Sequence, residues 1–244
     1  MNELENKVVI ITGASSGIGA QTARALAAHG AKVVLSARRE ERLRQLAGEI
    51  GENAAYQASD VCNLEEMRAL VALAKQRFGR VDALFANAGI MPGSSMSEGK
   101  VADWMAMVDI NIKGVLNAMA AVLPEFTVQK GGHILVTSSV AGMRSVPGNA
   151  VYCGTKHFVR AMLDSFRSES VMEGTNIRTT IYPGAIKTEL LNTIAPSKTK
   201  EQVEAFYQNV GLEADAIANA VLLALSQPEN VDVSDLVVRP SRES

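Results

Sequence analysis

The sequence predicts one doubly wound α/β domain, in which helices cover both faces of a mostly parallel sheet of seven strands. Short apolar runs that suit buried strands alternate with amphipathic helical stretches along the whole chain. No linker and no internal repeat divides residues 1–244, a length that fits one large α/β domain. A glycine-rich turn joins the first strand to the first helix, at the sheet edge where such folds bind ligands.

Each predicted strand is a short run rich in apolar residues, and most are bounded by glycine, proline or polar residues. The third is the weakest of them, and the sixth stops at Pro183-Gly184. In chain order the predicted strands cover residues 8–11, 32–37, 54–58, 81–86, 132–137, 176–182 and 235–238.

The helices are predicted from apolar residues at three- and four-residue spacing, with glycine after several of them. They cover residues 20–29, 38–50, 64–78, 101–126, 151–173 and 214–226. The remaining segment, residues 185–211, is the most polar long stretch of the chain, and we expect it to form a lid.

Composition excludes several classes of protein. The formal net charge of −2 gives no sign of a partner such as nucleic acid or an anionic membrane surface. No apolar run approaches the roughly 18 residues that span a bilayer, and the polar residues 1–7 contain no signal-peptide core. Cys62 and Cys153 make no disulfide framework, so we expect a cytoplasmic protein. Nothing in the spacing of cysteine and histidine indicates a metal site.

The glycine-rich turn has the sequence Thr12-Gly13-Ala14-Ser15-Ser16-Gly17-Ile18-Gly19. Glycine allows a tight turn there and lets the backbone come close to a ligand. The free N–H groups of the following helix could then hold a pyrophosphate. The alternative is a turn that needs glycine only for its backbone conformation.

Two polar groups that suit proton chemistry follow at later strand and helix ends. Tyr152 and Lys156 are four residues apart and share one helix face, where an ammonium favours the phenolate and lowers the tyrosine pKa. Ser139 ends the fifth strand and could donate to a substrate oxygen. The alternatives are a surface tyrosine beside a lysine, and a serine that caps a loop. No Gly-x-Ser-x-Gly pattern favours a serine hydrolase.

Together these motifs resemble those of the short-chain dehydrogenase/reductase family, and the resemblance covers essentially the whole chain. It implies a Rossmann fold, with Asn111, Ser139, Tyr152 and Lys156 as the catalytic tetrad. The cofactor-binding residues that it implies are Gly13, Ser15, Ser16, Gly17, Ile18, Gly19, Arg38, Arg39, Asp60, Val61, Asn87, Ala88, Gly89, Tyr152, Lys156, Pro183, Gly184, Ile186 and Thr188.

The resemblance also implies a mechanism. The cofactor would pass a hydride to a carbonyl carbon while Tyr152 gives the oxygen a proton. Lys156 would lower the Tyr152 pKa and bind the nicotinamide ribose, and Ser139 would orient the carbonyl. Asn111 would hold a water that relays protons.

The end of the second strand indicates which cofactor binds. An acidic residue there suits the ribose of NAD, whereas arginine suits the 2′-phosphate of NADP. The sequence has Ala37, Arg38 and Arg39, and we therefore expect NADP(H) rather than NAD(H). The alternative is that both arginines merely precede the next helix beside Glu40 and Glu41.

The substrate is a small molecule, expected to contact Ser139, Tyr152, Met91, Met143 and Val146. Methionine suits a tolerant apolar pocket, although any of these methionines could equally fill the core. Residues 231–240 resemble a bacterial subgroup of aldehyde/ketone reductases and 3-hydroxy acid dehydrogenases. We expect a carbonyl reductase, with the hydroxy-acid dehydrogenase as the alternative.

Apolar coverage on the helices at residues 101–126 and 151–173 predicts self-association. The resemblance implies a homotetramer, with a homodimer as the alternative. Non-catalytic relatives keep the fold but lose the tyrosine or lysine, and neither is lost here. A sugar-nucleotide epimerase would need a longer C-terminal region.

Overall fold

The computed structural model describes residues 4–180, 182–183, 186–194 and 198–242. Six strands form one parallel sheet in the order β3-β2-β1-β4-β5-β6, so the direction in which strands are added reverses between β1 and β4. The six strands are β1 Val8–Thr12, β2 Lys32–Ala37, β3 Ala54–Ala58, β4 Ala83–Ala86, β5 Gly132–Val136 and β6 Ile177–Thr180.

Helices connect the strands and cover both faces of the sheet. They are α1 Gly17–Ala28, α2 Glu40–Ile50, α3 Leu64–Phe78, α4 Val101–Val108, α5 Gly114–Gln129, α6 Ala150–Glu173, α7 Lys198–Val210 and α8 Asp215–Leu225. The predicted doubly wound α/β fold is therefore confirmed.

Two apolar cores lie on opposite faces because successive side chains of a strand point to opposite sides. Val9 and Ile11 of β1 pack in one core with residues of α1, α2 and α8. Val8 and Ile10 of the same strand pack in the other core with residues of α3, α5 and α6. This explains why the strands read as continuous apolar runs rather than alternating ones.

The predicted seventh strand does not join the larger sheet. Among the described residues, the last strand, β8 Val237–Val238, pairs with β7 Tyr182–Pro183 in a separate two-stranded parallel sheet. The larger sheet therefore has six strands rather than seven. Pro183 has no N–H to donate to a ladder, which is consistent with so short a pairing.

The apolar region predicted as one helix over residues 101–126 is interrupted. Residues Asp109–Lys113 form a π-helical turn between α4 and α5. Taken together, Val101–Gln129 is long and apolar enough, by length and composition only, to cross a membrane. Charged residues such as Asp109, Lys113 and Glu125 interrupt it, so it contains no continuous apolar run of about 18 residues. Its buried side chains, among them Val122 and Phe126, pack in the core beneath the sheet, as in the core helix of an α/β domain.

The lid segment contains two described elements. A short 3-10 helix, Glu189–Thr193, is followed by α7. Ala185 and residues 195–197 lie outside the described residues. Val203 and Tyr207 of α7 pack against a cluster that includes Tyr152. The segment therefore contributes side chains next to the predicted catalytic tyrosine.

Candidate active site

A cavity of about 420 Å³ opens at the carboxyl ends of the strands, where the direction of strand addition reverses. Its walls come from the glycine-rich turn, the ends of β2 to β5, the start of α6 and the 3-10 helix of the lid segment. Of the predicted site residues, those that line it are Gly13, Ser15, Ser16, Gly17, Ile18, Arg38, Arg39, Asp60, Val61, Asn87, Ala88, Gly89, Tyr152, Lys156 and Thr188.

At its three glycine positions, the glycine-rich turn leaves no room for a side chain. A Cβ at Gly13, whose φ is +66°, would lie 2.9 Å from the Ala88 Cα, and a Cβ at Gly19 would lie 2.5 Å from the Gly13 carbonyl oxygen. A Cβ at Gly17 would approach Thr188 to 3.1 Å. The backbone itself therefore forms this wall, and it packs directly against the turn after β4 and the lid segment.

Helix α1 begins inside this turn, at Gly17, earlier than the sequence predicts. Its N-cap residue, Ser16, makes no side-chain hydrogen bond to the first turn, and that turn contains no acidic residue. The Ser16 side chain therefore does not cap the N–H groups at this helix start, and Gly17 and Ile18 line the cavity. Uncapped N–H groups and the positive end of the helix dipole suit a phosphate, so the residues present fit a dinucleotide cofactor.

Arg38 and Arg39 precede α2, which begins at Glu40. Arg39 donates from Nε to Ser15 Oγ at 3.0 Å and from Nη2 to Ser16 Oγ at 2.7 Å. Its Nη1 lies 2.7 Å from an oxygen of Glu189. Arg39 thus joins the start of α2 to the glycine-rich turn and to the lid segment.

Asn87 ties three strand ends together. Its Nδ2 donates to the Thr12 carbonyl oxygen at 3.2 Å, and its Oδ1 accepts from Thr137 Oγ1 at 3.0 Å. Thr12 Oγ1 in turn accepts from the backbone N–H groups of Asn87 and Ala88. Asn87, which was predicted to bind the cofactor, therefore also holds the turn after β4 in place, and this turn forms part of the cavity wall.

Asp60 and Val61 lie at the rim beyond β3. The Asp60 carboxylate accepts from the Cys62 backbone N–H at 2.9 Å. The Val61 carbonyl oxygen accepts from Asn117 Nδ2 at 2.9 Å, which joins this rim to α5. Both residues line the cavity on the side of Arg38.

Tyr152 and Lys156 lie on the first two turns of α6 and are only 7% and 5% exposed. Lys156 Nζ donates to the Thr137 carbonyl oxygen at 2.6 Å and lies 5.6 Å from the centre of the Tyr152 ring. A Cβ at Gly142 would lie 2.8 Å from the Lys156 carbonyl oxygen, so glycine lets the loop after β5 pack against this helix. The two side chains share the buried end of the cavity.

Burial shifts the pKa values of both Tyr152 and Lys156. It raises the pKa of Tyr152, an effect that nearby Tyr207 adds to and a hydrogen bond with Ser139 opposes. It lowers the pKa of Lys156 to about 8. The net shift of the Tyr152 pKa is therefore upward rather than downward as expected, and loss of water around the phenol is its largest cause. A lowering of this pKa by the Lys156 ammonium stays a prediction.

Ser139 lies at the end of β5 in contact with Tyr152. Besides that hydrogen bond, its Oγ accepts from the Ala141 backbone N–H at 3.1 Å and caps a short 3-10 helix. The capping role weighed as an alternative and the contact with the tyrosine thus occur together. The cap fixes the hydroxyl beside the phenol.

Asn111 lies in the π-helical turn and is fully buried. Its Oδ1 accepts from the Ile90 N–H and its Nδ2 donates to the Ile90 carbonyl oxygen, both at 2.9 Å. A Cβ at Gly89 would lie 3.3 Å from Asn111 Oδ1 and 3.9 Å from Lys156 Nζ. π-helical turns often occur at functional sites, and this one holds the loop beside the lysine.

Some predicted residues do not line the cavity, and Asn111 and Ser139 of the expected catalytic tetrad are among them. Ile186 is buried in the core with α8, and Gly19 lies behind the turn in α1. Met143 and Val146 are each 40% exposed on the loop after β5. Met91 is buried, and it packs against Tyr152 in the cluster that also contains Met107, Leu191 and Ile194. Gly184 lies outside the described residues, and only the backbone of Pro183 is described.

The sequence analysis missed several cavity residues. Thr137 accepts from Lys156, and its place at the end of β5 was a usable signal. Glu189 had no such signal, because 147 positions separate it from its ion-pair partner Arg42, which does not itself line the cavity. Two guanidiniums hold the pKa of Glu189 down at about 2: that of Arg42 and that of Arg39. Within the described part of the chain, no group of three or more His, Cys, Asp or Glu side chains could hold a metal ion.

Comparisons with known proteins agree with this geometry. An uncharacterised oxidoreductase of Listeria monocytogenes is 52% identical, over 98% of each chain. A serine dehydrogenase solved in a closed form with NADP+ superposes with a TM-score of 0.90 at 32% identity, covering 97% of this chain and 96% of the other. An alcohol dehydrogenase of Thermococcus sibiricus, solved with 5-hydroxy-NADP, gives 0.84 at 32% identity over 98% of each chain.

A third solved structure contains the other cofactor. A short chain dehydrogenase/reductase of Burkholderia phymatum, in complex with NAD, gives a TM-score of 0.88 at 25% identity, covering 97% of this chain and 90% of the other. Similar folds thus accommodate either nicotinamide dinucleotide. The model of the short chain dehydrogenase family matches residues 7–199, most of the chain. With its glycine-rich turn, its buried Tyr152 and Lys156 and these relatives, the chain belongs to the short-chain dehydrogenase/reductase family of oxidoreductases.

Proposed function

We propose that the protein is an NADP(H)-dependent carbonyl reductase, in which Tyr152 gives a proton to the oxygen of a ketone or aldehyde. The observation that carries this is the buried group at one end of the cavity. Tyr152 contacts Ser139 there, and Lys156 lies beside both the tyrosine ring and the cavity. The reaction is reversible, so the same groups would serve alcohol oxidation.

The cofactor, when bound, supplies the hydride that reduces the carbonyl carbon. The glycine-rich turn and the uncapped start of α1 would hold its pyrophosphate. Thr188 lies against Gly17 and lines the same cavity, in agreement with a role near the cofactor. Pro183, Gly184 and Ile186 stay predictions for this role.

The proton comes from the Tyr152 phenol. A tyrosine is protonated at neutral pH, and it can give this proton to a developing alkoxide, which is a much stronger base than a phenolate. The Ser139 hydroxyl is fixed beside it and can stabilise the same oxygen. Lys156 would return a proton to Tyr152 after each turnover and take one from solvent through a water held by Asn111, and this relay is part of the proposal.

The preference for NADP(H) is supported by the end of β2. Ala37, Arg38 and Arg39 all line the cavity, and no carboxylate occupies the position that suits the ribose of NAD. Some of the similar structures contain NADP-type cofactors and another contains NAD. The proposed preference therefore rests on Arg38 and Arg39 of this chain.

The substrate is proposed to be a neutral, largely apolar carbonyl compound. Ile90, Ile110 and Leu190 line the cavity, and Tyr152 packs against an apolar cluster that includes Met91 and Leu191. Apolar side chains in and behind the cavity wall suit an apolar substituent of the substrate. The second candidate, a 3-hydroxy acid dehydrogenase, is favoured by the likeness to the solved serine dehydrogenase.

One assay separates these possibilities. Absorbance of the reduced nicotinamide is followed with NADPH or NADH across a panel of apolar ketones and aldehydes, and with NADP+ across serine and other 3-hydroxy acids. We expect NADPH-dependent loss of absorbance with the apolar carbonyls. Turnover mainly with hydroxy acids would favour the second candidate. Cofactor binding without turnover on either panel would contradict both and favour a regulatory protein.

Assembly and location are also proposals. We propose a homotetramer, since apolar side chains such as Met105, Leu116 and Phe158 are exposed on α4, α5 and α6. A sedimentation measurement giving a monomer would contradict this. A cytoplasmic location agrees with the absence of a disulfide framework and stays a prediction.

A further inference from the structure

The two arginines after β2 have different surroundings, and a lid-segment carboxylate makes the difference. One oxygen of Glu189 lies 2.7 Å from Arg39 Nη1, and the other lies 2.7 Å from Arg42 Nη1. Ser16 also hydrogen-bonds to Glu189 and accepts from Arg39. We call Glu189, Arg39, Arg42 and Ser16 the carboxylate clasp. It joins the lid segment, the glycine-rich turn and α2.

Most of the carboxylate clasp lies in the cavity wall, beside Arg38, which is not part of it. Arg38, Arg39 and Glu189 all line the cavity. In the part of the chain that the structure describes, no carboxylate pairs with Arg38. One guanidinium is thus available to an anion, whereas the other is already neutralised by the protein's own anion.

A carboxylate and a phosphate bind an arginine in the same way. Both are oxyanions that accept two parallel N–H donors from the guanidinium fork. The side chains of Arg39, Arg42 and Glu189 are 45%, 48% and 40% exposed, so water screens their attraction. Partly exposed ion pairs of this kind contribute little net stability, and a competing dianion can replace the carboxylate.

We propose that Glu189 sets the strictness of cofactor choice by competing with the 2′-phosphate of NADP(H) for the Arg39 guanidinium. The proposal rests on the NADP(H) preference proposed above. Arg38 attracts the 2′-phosphate, while Glu189 withholds Arg39 until that phosphate displaces it. NAD(H) has no such phosphate, so its binding leaves the clasp intact. Glu189 thus narrows the difference in affinity between the two cofactors.

A purely structural role for the clasp makes a different prediction. Glu189 follows Thr188, which lies against Gly17, so the clasp could simply hold the lid segment on the glycine-rich turn. Removing Glu189 would then weaken the binding of every dinucleotide alike. Competition instead predicts tighter binding of phosphate-bearing ligands and no change for the others.

The test is a titration of the full-length protein with two matched pairs of ligands. NADPH and NADH differ only at the 2′-position, as do 2′,5′-ADP and 5′-AMP. Dissociation constants are measured by nucleotide fluorescence or calorimetry for wild type and for Glu189→Gln, which removes the charge at constant size. Glu49→Gln is the control, because Glu49 forms a similar exposed ion pair with Arg24 that does not line the cavity.

We expect Glu189→Gln to bind NADPH and 2′,5′-ADP about fivefold more tightly, equivalent to roughly 1 kcal/mol, and NADH and 5′-AMP with unchanged affinity. Glu49→Gln should match wild type for all four ligands. In an Arg39→Gln background the gain from Glu189→Gln should disappear, because the guanidinium under competition is gone.

Other outcomes overturn the inference separately from the proposed function. Equal weakening of both cofactors would assign the clasp a structural role only. A gain that persists without Arg39 would show a general effect of net charge. If wild type bound NADH as tightly as NADPH, the NADP(H) preference itself would fail, whatever Glu189→Gln did.

Discussion

The ionisable side chains at the two ends of the cavity differ in their exposure to water. At the buried end, Tyr152 and Lys156 are almost inaccessible, and lack of water moves both pKa values toward the neutral forms. At the open end, Arg39 and Glu189 are nearly half exposed, and hydrogen bonds from Arg42 and Arg39 lower the pKa of Glu189 to about 2. One end is thus governed by desolvation and the other by ion pairing.

This difference assigns each end its task. A desolvated phenol that keeps its proton suits a single transfer to a substrate oxygen. Screened, exchangeable ion pairs suit the recognition of a ligand charge that must bind and leave. If the account is right, substitutions at the buried end change turnover and those at the open end change cofactor affinity.

The largest expected effect is at the buried end. Tyr152→Phe removes the phenol proton and little volume, so turnover should fall by about 10²–10⁴-fold, the usual contribution of a positioned acid. The dissociation constant for NADPH should stay within a factor of about two, since the open end is untouched. Retained turnover, measured by nicotinamide absorbance, would contradict the assignment of Tyr152.

The next effect is at the open end. Arg38→Asp reverses the charge that faces the 2′-phosphate, so NADPH binding should weaken by about 10-fold or more while NADH binding holds or improves. Fluorescence titration with both nucleotides measures this. Arg77→Asp is a control, since this exposed arginine near the end of α3 does not line the cavity. An unchanged preference would leave the cofactor choice to other residues.

A further prediction concerns stability rather than activity, and it tests the desolvation of the buried end by its pH dependence. Lys156 has a folded pKa of about 8 against 10.5 for an unperturbed lysine, so between these values the unfolded chain binds more protons and stability rises with pH. The full contribution is roughly 3 kcal/mol. In urea unfolding from about pH 7.5 to 10.5, the free energy of unfolding of wild type should rise relative to that of Lys156→Met. The raised pKa values of Tyr152 and Cys62 act in the opposite direction, but they act equally in both proteins. Parallel profiles would mean that Lys156 is not desolvated.

Much of the fold follows from local sequence. Continuous apolar runs predict strands buried on both faces, and β2, β3 and α3 begin and end where the pattern indicates. The π-helical turn around Asn111 escapes such reasoning, because one extra residue hardly changes the spacing of a mostly apolar stretch. The short pairing of β8 with β7 depends on contacts across the chain rather than on composition.

The site divides in the same way. The glycine-rich turn, Tyr152 and Lys156 are recognisable because their chemistry is contained in short motifs. The Tyr152 pKa was misjudged because spacing shows a neighbouring charge but not the loss of water around it. Glu189 was not predicted because its ion pairs are with Arg39 and Arg42, which lie in a distant part of the chain.

One measurement tests the separation of the two ends most directly: the turnover of Arg38→Asp with saturating NADH, compared with wild type and saturating NADPH on the same apolar ketone. The account predicts equal turnover numbers within a factor of about three, because the variant changes cofactor recognition and leaves the buried acid intact. A fall comparable to that of Tyr152→Phe would contradict it, since the open end would then be part of the chemical step.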